Sequence, residues 1–329
     1  MNSFTDLVDV AAARLGGAVL LANDEFFAPK ESLLQASKPV WREDEYTDRG
    51  KWMDGWETRR RRTPGHDWCL IRLGVPALLR GVVVDTSFFR GNYPEHCSLE
   101  ACAADRMADP ATLAENGAAW SEVLPRSPLR GDAENPFSVT HAAPVTHLRF
   151  NIYPDGGVAR LRVYGEPAPA PGLGPGVETD LAALANGGLV VACSDTFFGD
   201  RHRLIYPGRS THMGDGWETR RRRGPGHDWI VVRLAARGVI GRIEVDTDHF
   251  KGNAPESCSL EVCDAAGATA ERLASDEAGW TPLLPRTPLE PDARFAVDVP
   301  AASAATHARL AIYPDGGIAR LRLFGTVAR

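Results

Sequence analysis

Asp54-Gly55-Trp56-Glu57-Thr58-Arg59-Arg60-Arg61-Arg62 recurs letter for letter as Asp215 through Arg223, and this recurrence settles how the chain is organised. After one differing residue, Pro64-Gly65-His66-Asp67-Trp68 returns as Pro225 through Trp229. Further outward, Asp85-Thr86 and Gly91-Asn92 return as Asp246-Thr247 and Gly252-Asn253, and Ile152 through Gly157 matches Ile312 through Gly317. The openings correspond too: Gly16-Gly17 to Gly187-Gly188, and Asp24 with Phe26-Phe27 to Asp195 with Phe197-Phe198. A period of about 160–170 residues is far longer than a solenoid unit, so the chain is a duplicated domain. The stretch Glu166 to Gly176, rich in Pro, Ala and Gly, has little to bury and reads as a linker. The expected division is 1–165 for the first repeat, 166–179 for the linker and 180–329 for the second.

Within each copy the apolar runs are short and β-branched. Trp68–Leu73, Leu79–Asp85, Ser98–Cys102, His147–Tyr153 and Val158–Tyr164 read as strands between turn residues. Only the first 15 or so residues and Asp180–Asn186 suggest helix. Many short strands at this spacing predict an all-β chain of two tandem sandwiches.

The 329 residues carry a net charge of −6, which argues against nucleic acid as a partner. No segment approaches the roughly 20 consecutive apolar residues of a membrane span. The opening Met1-Asn2-Ser3 has no basic, then apolar, secretory pattern. With six cysteines and no such signal, reduced core thiols and a cytoplasmic location are expected. Cys97 and Cys102, like Cys258 and Cys263, lie five apart in strand-like sequence, on opposite faces, so neither pair grips a metal alone.

If Trp68–Leu73 and Leu79–Asp85 form a hairpin, the arginine run and the Asp85–Asn92 loop share one end of the sandwich. Glu57, Arg59, Arg61, His66, Asp67, Asp85 and Asn92 would gather there, with Glu218, Arg220, Arg221, His227, Asp228, Asp246 and Asn253 in the second copy. Four consecutive arginines on a strand alternate faces, so at most two serve one pocket. Guanidinium groups suit a carboxylate or a ureido oxygen through paired hydrogen bonds. A solvated charged face is the plainer alternative. His66 and His227 fit three roles: acid–base groups, metal ligands, or braces of the turn. A divalent metal is possible, although no spacing demands one. His147, His307, Trp56 and Trp68 read as structural.

The ordered set Asp-Gly-Trp-Glu-Thr-Arg-Arg-Arg-Arg, Gly-His-Asp-Trp and Asp-Thr-x-x-Phe-x-Gly-Asn-x-Pro, at 54–94 and 215–255, resembles the repeat signature of the allantoicase family. The resemblance implies two jelly-roll sandwiches of the galactose-binding-like type. It also implies hydrolysis of allantoate to ureidoglycolate and urea, with allantoate the partner, and a homo-oligomer is a further expectation. On that basis Glu57, His66, Asp67 and their counterparts Glu218, His227 and Asp228 are the expected acid–base groups. Arg59 or Arg61, and Arg220 or Arg221, are the expected carboxylate clamp. A pair of non-catalytic carbohydrate-binding modules is the rival expectation.

Overall fold

The computed structural model describes residues 3–115, 118–300 and 303–328. The chain divides into two compact units, Met1–Ala168 and Pro169–Arg329. Each is built on one 19-residue strand, Asp67–Asp85 in the first and Asp228–Asp246 in the second. The expected hairpin is therefore absent: 68–73 and 79–85 belong to one continuous strand. Between them the register against Val145–Tyr153 jumps, with Val145 opposite Ala77 but His147 opposite Arg72. The extra residues form a bulge at 73–76, and bulges bend a strand. The first half then pairs with Ala18–Ala22 and Val145–Tyr153, the latter pairing on with His96–Cys102. Its second half pairs with Glu134–Ser138 and Arg160–Pro167. One strand thus serves both layers, and the second unit repeats the arrangement.

The core between the layers is apolar: Leu70, Ile71, Phe150, Ile152, Leu161 and Val163 are all about 1% exposed or less. Trp56 and Trp217 are buried as well, and each indole N–H donates to the carbonyl of Asp24 (2.8 Å) or Asp195 (3.0 Å). Each tryptophan therefore ties the opening loop to the repeated motif. The expected helices are instead strand and 3-10 turns: Phe4–Asp6, Val8–Asp9 and Ala13–Leu15 at the start, then Thr179–Asp180 and Leu184–Asn186. Met1 and Asn2 lie outside the described residues. All six cysteines are free. Burial pushes the Cys97 and Cys258 thiols up to about 12, and those of Cys102 and Cys263 to about 11. No helix among the described residues is long and apolar enough to cross a membrane.

Candidate active site

The connection Tyr153–Arg160 gathers both ends of the long strand. Asp67 pairs with Ile152 and donates its N–H to the Pro154 carbonyl, while Asp85 pairs with Arg160. Between these points Gly157 pairs with Glu57 and donates to the Asn92 carbonyl at 2.7 Å. The two loops share one end of the sandwich, although the bend, not a hairpin, brings them there. Gly156 and Gly157 permit this approach. A Cβ on Gly157 would stand 1.9 Å from the Phe89 ring, and one on Gly156 2.6 Å from the Asn92 carbonyl. Asp85 and Asp246 shape the loop that follows them, each accepting the amide two residues on at 2.8 Å. The next residue, Phe88 or His249, is held left-handed (φ 70 and 71), and its amide is caught by Asp132 or Asp292. Such strain, of order 1–3 kcal/mol, concentrates at functional loops. The loop delivers Asn92, whose Nδ2 donates to Glu57 Oε1 at 2.7 Å; Asn253 does the same to Glu218 at 2.6 Å. Burial raises the Glu57 carboxyl above its ordinary value, and the Asn92 bond opposes that shift only partly.

The arginine run is not a strand, because the strand ends at Glu57. Acidic partners position the side chains instead of pleat alternation. Arg59 donates its amide and Nε to Asp24 (3.0 and 2.6 Å), and Arg220 bonds Asp195 in the same way (3.2 and 2.8 Å). Arg61 donates its amide to Asp155 at 2.8 Å and pairs its guanidinium with the buried Asp67. The second repeat corrects one expected counterpart. Arg222, not Arg221, bonds Asp315 and Asp228; Arg221 is exposed, like Arg60. Asp67 also accepts from Asn23 Nδ2 (2.9 Å), and Asp228 from Ser194 Oγ (3.0 Å). Both carboxylates are thus buried and committed to neighbours.

His66 immediately precedes the long strand. Its ring contact is Tyr153, with centroids 4.7 Å apart, repeated as His227 on Tyr313 at 4.7 Å. Each phenol bonds a serine, Ser98 at 2.9 Å or Ser259 at 3.0 Å, and carries the guanidinium of Arg126 or Arg286. Partial desolvation, followed by the nearby Arg222 and Arg309 charges, lowers the His227 imidazole below its ordinary value. Among the described residues no three His, Cys, Asp or Glu side chains stand close enough together to hold a metal ion.

The end of each repeat therefore offers a half-buried carboxyl on an asparagine and an exposed guanidinium oriented by an aspartate. Each repeat also sets an imidazole on a phenol. Asp24, Asp155, Asn23 and Tyr153 complete the site and were not expected there. Asp24 and Asp195 carried a signal, since their repetition accompanies the motif.

A family model described as the allantoicase repeat matches residues 8–168 and 179–328. A probable allantoicase of Pseudomonas aeruginosa (strain UCBPP-PA14) is 50% identical over 98% of this chain and 97% of its own length. One from Nocardia farcinica is 50% identical over 98% and 95%. The crystal structure of allantoicase from Saccharomyces cerevisiae superimposes with a TM-score of 0.80 at 33% identity, covering 97% of this chain and 92% of that one. Both repeats, the full length and the fold agree, and the chain belongs to the allantoicase family.

Proposed function

We propose that the Glu57 and Glu218 ends of the repeats are the catalytic ends of this enzyme, which hydrolyses allantoate to ureidoglycolate and urea in purine degradation. Urea leaves whole and the central carbon gains a hydroxyl, so the bond cut joins that carbon to a ureido nitrogen. The protonated carboxyl gives its proton to that nitrogen, which leaves with the bonding pair as neutral urea. The remaining ureido nitrogen supplies its lone pair to the carbon. Water then adds, and its proton returns to the carboxylate, which closes the cycle with one water consumed. In the first repeat burial lifts the Glu57 carboxyl, which suits both the donation and the return.

Arg59 and Arg220 clamp the substrate carboxylate. Their Nε edges are bound to aspartate, which fixes the plane of each guanidinium while the side chain stays about two-thirds exposed. Asp67 and Asp228 act as braces for the arginine loop, and His66 and His227, each held against a tyrosine ring, orient the attacking water by a hydrogen bond. The observation that carries the reading is the Glu–Asn pair built identically in both repeats. We place the enzyme in the cytoplasm, in keeping with its six free cysteines.

Incubating the purified chain with allantoate and quantifying urea and ureidoglycolate tests the reading. Equimolar release supports it; binding without release would favour the carbohydrate-module alternative. Replacing His66 and His227 together by Asn tests their part, expected as a fall in kcat of about a hundredfold.

A further inference from the structure

Phe26-Phe27 and Phe197-Phe198 stand beside the arginine corner of each repeat, each pair edge to face with ring centroids 5.1 and 4.8 Å apart. None belongs to a core: Phe26 is 39% exposed, Phe27 36%, Phe197 62% and Phe198 52%. Both pairs recur, largely exposed, beside an oriented guanidinium, an arrangement that suits a flat ligand. The same aspartate positions ring and cation. Asp24 Oδ1 accepts the amides of Phe26 (3.1 Å) and Arg59 (3.0 Å), and Asp195 Oδ1 those of Phe197 (3.0 Å) and Arg220 (3.2 Å). The Arg59 guanidinium lies 5.4 Å from the Phe26 centroid, and that of Arg220 5.1 Å from Phe197.

The repeats then differ. In the first, a longer segment forms the hairpin Tyr46–Thr47 against Gly50–Lys51. Its Arg49 donates Nη1 to the Phe26 carbonyl at 2.9 Å and sets a second guanidinium 5.2 Å from the Phe26 centroid. In the second repeat the corresponding segment ends in the short turn Met213–Asp215, and Phe197 is more exposed than Phe26. A guanidinium and a ureido group share a shape: both are flat, with three substituents about one carbon and N–H groups in the plane.

We propose that Phe197 and Phe198 are the stacking platform for a ureido group of allantoate, and that Arg49 fills the matching place on Phe26. The second repeat is then the principal substrate site. This rests on the catalytic ends assigned above. Stacking on an aromatic face changes affinity by about tenfold.

N-carbamoylglycine, a ureido acid without the scissile centre, titrated calorimetrically into the full chain, tests the proposal. One site per chain is expected. Phe197→Ala weakens it about tenfold, Phe26→Ala leaves it within about twofold, and Arg49→Ala raises the stoichiometry to two. Two equal sites in the unmodified chain, an unchanged affinity in Phe197→Ala, or a single site in Arg49→Ala would each overturn it. Urea release by the double variant Glu57→Gln, Glu218→Gln keeps the two ideas separable. Full release with Phe197-dependent binding sinks the catalytic assignment alone; lost release with Phe197-independent binding sinks the platform alone.

Discussion

Protonating His307 should cost the second repeat stability, and the size of the effect follows from its surroundings. The imidazole is 3% exposed on the strand Ala305–Tyr313, paired across from Arg233 and Cys263. Nδ1 lies 3.0 Å from Thr306 Oγ1. Burial, and secondarily the Arg233 charge, lower its pKa from 6.5 to about 4, with Asp264 opposing weakly. The folded state thus prefers the neutral ring. The resulting stability is full above about pH 6.5 and drains away as pH falls toward 4, where the unfolded chain binds the extra proton. A shift of that size corresponds to about 3 kcal/mol, or roughly 6–12 °C in melting temperature for a unit of this size. His307→Gln removes the titration. At pH 7 the variant should be the less stable protein, because it loses packing and the Thr306 contact. At pH 4 that deficit should shrink by about 3 kcal/mol. Guanidinium chloride unfolding of both proteins at the two pH values measures it. An equal deficit at both would refute the claim that the buried imidazole is held neutral.

Other expectations concern the site itself. Asp228→Ala leaves the Arg222 guanidinium without its buried partner; with Arg222 30% exposed, a loss of about 2 kcal/mol is expected in thermal unfolding. Because burial raises the Glu57 carboxyl, its ionisation works against folding: stability present below the unfolded value of 4.5 is lost as pH rises through the folded value. Glu57→Gln should therefore melt higher than the unmodified chain at pH 7 but not at pH 4. Arg220→Ala should raise KM for allantoate about tenfold or more with a smaller change in kcat, whereas Arg221→Ala, whose side chain is exposed beside the corner, should leave KM within about twofold.

Legibility in the sequence followed the range of the interactions. The duplication, the strand-rich character and the gathering of Glu57, Arg59 and Asn92 at one end were open to reading, because identical letters recur in order. The long strand was not. Gly74-Val75-Pro76 has the composition of a turn, and only the neighbouring Val145–Tyr153 strand lets the backbone continue through a bulge. Pleat alternation grouped Arg59 with Arg61, but the run is not a strand. Asp24, 35 residues earlier, and Asp155, 94 residues later, orient them, and neither partner can be inferred from local spacing. His66 beside Asp67 suggests a coupled pair in sequence. In the structure, the carboxylate turns inward to Arg61 while the ring lies on Tyr153.

The most direct test of the account is urea release from allantoate by the double variant Glu57→Gln, Glu218→Gln, compared with the unmodified chain at equal folded concentration. Glutamine still accepts from Asn92 and Asn253 but has no proton to give. The account predicts a fall in kcat of at least about a hundredfold with an unchanged circular dichroism spectrum. Turnover within a few-fold of the unmodified chain would contradict it.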